Sequence, residues 1–153
     1  ILFILVGIYY LFIPKLFKDD ILSFTISIIG SVFLFLGTFF FAGVGLTPYD
    51  LYLDEHIFFA LNAFRLLVPG LVLYFFVLMR SNLSKKYLIM IFILLFFTLS
   101  YVVYQIVSDS PLTSIEQMVE QAIIQKIITF VNIVCMFFLS FAFSERLKVI
   151  KLI

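Results

Sequence analysis

The chain has 153 residues, of which 65% are hydrophobic and 12% charged, with 22 phenylalanines and a net charge of +1. A soluble domain is nearer half apolar and a quarter charged, so one small core cannot hide this much apolar surface and lipid must take the rest. Cys135 is the sole cysteine and His56 the sole histidine, which excludes an internal disulfide, a multi-cysteine metal site and a zinc site built on a histidine pair.

The first apolar run, 1–13, begins inside a hydrophobic stretch. Thirteen residues at about 1.5 Å each reach some 20 Å, short of the roughly 30 Å hydrocarbon core, so this reads as the end of a longer helix. A cleaved signal peptide fits less well, because no basic stretch precedes the run and no small-residue cleavage site follows it. Pro14 closes the run, and Lys15, Lys18, Asp19 and Asp20 form a turn. The second run, 21–46, carries Ser23, Ser27 and Ser31 four apart and Gly30 and Gly37 seven apart, a spacing that lets another helix approach closely. Gly45-Leu46-Thr47-Pro48-Tyr49-Asp50 then marks a turn.

The third run, 56–79, contains Asn62, Arg65 and Pro69, and the proline predicts a kink. The basic turn from Arg80 to Lys86 leads to the fourth run, 87–107, on which Thr98, Tyr101 and Gln105 share a face. Ser108 to Pro111 ends that run. The fifth run, 114–144, opens on a capping box, Thr113 with Glu116 or Ser114 with Gln117. It carries a polar stripe of Gln121, Gln125 and Asn132 and ends in a basic tail with Arg146, Lys148 and Lys151. The runs are long and lack the alternation of barrel strands. The fold class expected is all-α: a polytopic transmembrane helix bundle in a single domain, with five visible spans and a sixth missing before Ile1.

The charges between the runs alternate in sign. Asp50, Asp54 and Glu55 stand between runs two and three without a Lys or Arg, and Asp109, Glu116 and Glu120 precede Lys126. Lys and Arg mark the cytoplasmic side. The turns 14–20 and 80–86 and the C-terminus are therefore expected in the cytoplasm, and 47–55 and 108–117 outside, in a multi-pass protein of the cell membrane. Tyr49, Tyr52, Tyr87, Tyr101 and Tyr104 lie near span ends, as interfacial aromatics do. The sequon Asn82-Leu83-Ser84 falls on the cytoplasmic side and is set aside.

Arg65 is the sharpest chemical feature. It lies roughly 15 Å into its helix from Glu55, where a charge costs about 2.5–3.5 kcal/mol, so it is expected to face the bundle and find partners. Asn62 and the stripe of Gln121, Gln125 and Asn132 are the candidates, with Glu120, Glu116 or Glu55 as a source of carboxylate. Two roles stay open: a binding site for an anion or lipid headgroup, and a structural cation clasping helices three and five. The outer acids match no metal loop and read as a solvated rim. His56, beside Glu55, is an interfacial hydrogen-bonding residue or a general base, and Cys135 is a buried thiol. Neither a phosphate loop, a nucleophile elbow nor a catalytic carboxylate pair is present, and no motif calls for a cofactor, a metal or a nucleic acid.

The small-residue helix ending in Gly45-Leu46-Thr47-Pro48-Tyr49-Asp50, the helix led by His56 with Phe64-Arg65, and the stretch from Glu120 to Ile127 that opens the last span form a familiar pattern. It resembles the prokaryotic six-helix membrane proteins of unknown function related to the DRAM and Frag-type group. The resemblance implies one helix before Ile1 and places Asp50 and His56 at the outer mouth. Three functions follow as expectations. The first is a non-catalytic accessory subunit packing with lipids or other integral membrane subunits, supported by the small-residue face of the second helix. The second is a small transporter or a lipid- or anion-binding protein using Arg65 and the polar stripe. The third is a membrane enzyme using His56 with Asp50.

The orientation is testable. In a Cys135→Ser background, a cysteine replacing Ser84 is expected to react with an impermeant maleimide only after the cells are opened. One replacing Asp50 is expected to react in intact cells, and the reverse pattern overturns the assignment.

Overall fold

The computed structural model describes residues 1–108 and 114–151, the last three by backbone alone. Asp109, the Pro111 end of the fourth run and the Thr113 capping box lie outside the described residues. Within them the chain is all-α: α1 (Leu2–Phe12) running into a 3-10 turn (Ile13–Phe17), α2 (Ile21–Leu46), α3 (Leu53–Arg80), α4 (Lys85–Val107) and α5 (Ile115–Lys151). Helices α2 to α5 are long and apolar enough to cross a membrane, whereas Leu2–Phe17 is apolar but shorter. By the length and composition of its helices this is an integral membrane protein with four full spans and a short first helix.

The helix ends follow local chemistry. Asp20 caps α2, accepting from the Leu22 amide at 3.3 Å and the Ser23 hydroxyl at 2.6 Å. Pro48 turns the chain, its carbonyl accepting from the Tyr52 amide at 2.9 Å. Helix α3 starts at Leu53, before the apolar run at 56, and takes Asp54 and Glu55 into its first turn, where the helix dipole favours acids. Ser114 caps α5 through the Gln117 amide at 3.2 Å. Helix α5 also runs past the apolar boundary at 144 to Lys151; an apolar run marks where lipid ends, not where a helix must. Helix α3 continues through Pro69 without a break in its assignment.

Small residues bring the first three helices together. A β-carbon at Gly70 would stand 3.1 Å from the Gly30 carbonyl and 2.7 Å from Leu34 Cδ2, and one at Gly37 would stand 2.9 Å from Leu67 Cδ2. The Ser31 hydroxyl donates to the Tyr10 carbonyl at 2.7 Å and lies 2.6 Å from the Tyr74 hydroxyl, which must then be the donor to it. One hydroxyl thus ties α1, α2 and α3. Ser23, Ser27 and Ser31 are all buried. The small-residue face of α2, expected to meet other subunits, is spent on α3 and α1 of the same chain.

Helix α3 packs in turn on α4, and α4 on α5, which returns to the 3-10 turn at the basic end. That return is a clasp of ions. Arg146 is 9% exposed, donates from Nε to the Leu16 carbonyl at 3.0 Å, pairs with Asp19 and lies over the Phe17 ring at 5.9 Å. Arg80 pairs with Asp20 at 3.0 Å, and Lys86 with Glu145 at 3.2 Å. The Arg146 hydrogen bond holds the Asp19 carboxyl below its usual range, and the Ser23 hydroxyl, aided by Arg80, does the same for Asp20. Away from the clasp α5 stands off from α1, and an apolar cleft of about 360 Å³ remains, lined by Phe3, Tyr10, Phe41, Leu71, Ile133 and Met136 among others.

Gly70→Val is expected to lower stability by about 1–3 kcal/mol, because the added methyls meet the Gly30 backbone, which cannot rotate away. Reversible unfolding in mixed micelles measures it, and a change within about 0.5 kcal/mol would show that the α2–α3 approach is not tight.

Candidate functional site

The polar residues of α4 and α5 meet across their interface. Thr98 is fully buried; its hydroxyl lies 2.7 Å from the Leu94 carbonyl and 3.2 Å from Asn132 Oδ1, and Asn132 Nδ2 donates to the Ile128 carbonyl at 2.9 Å. Nearer the acidic end the Tyr104 hydroxyl donates to Glu120 at 3.2 Å, and Gln121 Nε2 donates to the Ser108 hydroxyl at 3.4 Å. Two faces read separately in the sequence therefore form one seam. Such pairing follows from the surroundings, since a polar side chain in hydrocarbon has only protein for a partner.

Above this seam the helices splay into a vestibule of about 330 Å³. Helix α3 contributes His56, Ile57, Ala60 and Leu61; α4 contributes Tyr101 and Gln105; α5 contributes Met118, Gln121, Gln125 and Lys126. Tyr49 bridges to α5 by donating to Met118 Sδ and stands edge-on to His56 with centroids 5.7 Å apart. The His56 Nδ1 lies 2.6 Å from the Thr47 carbonyl. Facing a carbonyl, Nδ1 must carry the hydrogen, which leaves Nε2 as an acceptor in the neutral ring.

An aromatic ladder lies between this vestibule and the apolar cleft. Phe41 meets Phe64 at 4.9 Å, and Phe64 meets Tyr101 at 4.6 Å, both edge to face. Phe41 lines the cleft, Tyr101 lines the vestibule, and Phe64 is completely buried.

Two groups in the vestibule lack partners. Gln105 Oε1 is buried without a hydrogen bond, alone in this among the described side chains. Lys126 is exposed, with no carboxylate within ion-pair distance among the described residues. Neither was singled out as a binding residue, although Gln105 shares the face of Thr98 and Tyr101 and Lys126 directly follows Gln125.

The other expected site residues fall elsewhere. Helix α3 presents Ala63, Leu67 and Gly70 toward α2 and Phe64 and Phe75 toward α4. That rotation turns Arg65 outward, where it is exposed. The expectation that Arg65 faces the bundle and meets the α5 stripe does not hold. Asn62 donates to the Phe58 carbonyl of its own helix at 2.8 Å. Asp50 is exposed, and no hydrogen bond or ion pair joins it to His56. Cys135 is buried. The arrangement can bind a polar group, and among the described residues it places no serine or cysteine against His56.

Neither a protein-family model, a curated protein nor a solved structure matches this chain.

The α4–α5 seam makes a measurable prediction. Thr98→Val and Asn132→Ala are each expected to lower stability, with a coupling of about 0.5–1.5 kcal/mol in a double-mutant cycle. Additive single effects would mean that the two side chains do not bond.

Proposed function

We propose that this chain is a non-catalytic accessory subunit of a membrane assembly, held to its partner by the outward face of α3. Arg65 carries the reading. It sits about 22 Å from Arg80 and about 6 Å, one helical turn, from Leu61 along the axis, in the outer half of a span, exposed and without a partner among the described residues. Phe58, Val72 and Met79 share its face at seven-residue spacing, and Phe58 and Met79 are exposed. A cation at mid-span costs about 2.5–3.5 kcal/mol, and one turn inside the hydrocarbon it still carries part of that cost unless something answers it. A carboxylate on a neighbouring transmembrane helix does so. Symmetric pairing of two copies through this face would set Arg65 against Arg65. Among the described residues the acids lie on turns or in end segments of the helices, so symmetric pairing of two copies brings no described carboxylate to that depth.

The small-residue face of α2 packs on α3 and α1 and so does not contribute to this surface. The likeness of the 45–56 turn to the six-helix proteins stays within the proposal. So does the orientation, with the clasp in the cytoplasm and the vestibule outside. A second reading, a lipid- or anion-binding protein or small transporter, loses Arg65 from its site. It keeps Gln121 and Gln125, which line the vestibule.

Native mass spectrometry of the protein extracted from its own membrane in mild detergent tests the proposal. Wild type is expected to retain a second protein. Arg65→Glu is expected to lose it while the isolated chain melts at an unchanged or higher temperature. Retention of the partner by Arg65→Glu, a wild type that carries none, or an isolated chain destabilised by Arg65→Leu would each overturn the reading.

A further inference from the structure

We infer that the vestibule is a binding site for a phosphate esterified to a primary ammonium, the chemistry of an ethanolamine-type headgroup. The inference stands on the α3–α4–α5 walls and is independent of Arg65.

Depth is the first argument. The ion pairs of the basic end mark one boundary of the membrane. From Arg80 to Leu61 on α3 and from Lys86 to Gln105 on α4 is about 28 Å, and from Arg146 to Lys126 on α5 about 30 Å. The hydrocarbon core is roughly 30 Å thick. All three walls therefore reach the opposite headgroup layer at the level of the vestibule.

Complementarity is the second. A headgroup phosphate is answered by Lys126, whose charge no described carboxylate neutralises. The buried Gln105 Oε1 needs a donor, and leaving such an acceptor unpaired is costly. An ammonium supplies three N–H donors, one of which satisfies Gln105. Ile57, Ala60 and Leu61 give apolar wall for the carbon atoms that follow the phosphate. Glu55 and Glu120 directly precede the lining residues His56 and Gln121 in sequence, and carboxylates that close to the lining disfavour a purely anionic ligand and favour one that carries its own cation. The volume of about 330 Å³ lies within the range of small-molecule sites.

The test uses the full chain in nanodiscs with dioleoylphosphatidylethanolamine and dioleoylphosphatidylcholine at equal mole fraction. Both probes carry phosphate, but the methylated nitrogen of the second has no hydrogen to donate. Wild type is expected to retain the ethanolamine lipid on the order of tenfold over the choline lipid, the cost of one buried acceptor left unpaired. Gln105→Leu is expected to abolish the preference while still binding both. Lys126→Gln is expected to weaken both. Arg65→Leu, which lies outside the vestibule, is expected to leave the preference unchanged, so that a failure here is separable from a failure of the subunit reading. Displacement of bound lipid by soluble O-phosphoethanolamine would identify the free phosphoester as the source, and resistance to it the membrane lipid; both preserve the headgroup chemistry. A wild type without preference overturns the inference whatever the variants do, and so does a Gln105→Leu protein that keeps it.

Discussion

Hydrocarbon offers no hydrogen bonds, and that constraint orders almost everything in this molecule. Several buried hydroxyls donate to backbone carbonyls: Ser27 to Phe24, Ser31 to Tyr10 and Thr38 to Leu34 or Phe35, while Thr98 shares its proton between Leu94 and Asn132 Oδ1. Asn62 and Asn132 return their amides to carbonyls one turn back. Against such thorough pairing, a polar group that is buried or inside a span and lacks a partner is a signal. Arg65 and Gln105 Oε1 are two such groups, and they lie on different faces. One looks out at whatever adjoins α3, and the other looks into a vestibule enclosed by the chain itself. That separation is why a docking surface and a ligand site are assigned as two features.

The charge pattern carries more structure than orientation alone. Eight of the ten cations gather at one end, namely Lys15, Lys18, Arg80, Lys85, Lys86, Arg146, Lys148 and Lys151, which leaves Arg65 and Lys126 apart. Three acids share the basic end, Asp19, Asp20 and Glu145, and each is ion-paired there, with Arg146, Arg80 and Lys86 respectively. The acids that break the sign rule are the ones that close the bundle. Arg80–Asp20 and Lys86–Glu145 are exposed enough that water screens them and their individual contribution is small. Arg146 differs, because it is buried and also bonds the Leu16 carbonyl of the 3-10 turn. It is the link that brings the last helix back to the first.

Much of the fold was legible because lipid imposes long apolar runs. The apolar run at about 21–46 coincides with α2, and the shared faces of Thr98, Tyr101 and Gln105 and of Gln121, Gln125 and Asn132 follow from their spacing. What spacing cannot supply is which face meets which neighbour. The serines and glycines of α2 announced a close helix approach, but not that α3 and α1 would take it. The Arg65 rotation was hidden for the same reason: periodicity fixes angles within a helix, and only packing fixes the helix against its neighbours. The Asp19–Arg146 pair joins residues 127 apart in sequence, a distance at which no local pattern speaks.

The aromatic ladder gives the two cavities a common logic. Phe64 has its edge or face against Phe41 on one side and Tyr101 on the other, with no exposed surface of its own. The vestibule above it adds amides, a cation and an imidazole to its apolar wall; the cleft below it is lined mainly by alkyl and phenyl groups, with Thr38, Thr129 and Asn132 among them. A headgroup held above the ladder cannot pass its chains straight down through Phe64. The apolar wall open to them is that of Ile57, Ala60 and Leu61. A ligand bound there therefore remains part of the membrane, which agrees with a site that recognises a lipid in place more readily than one that carries it across.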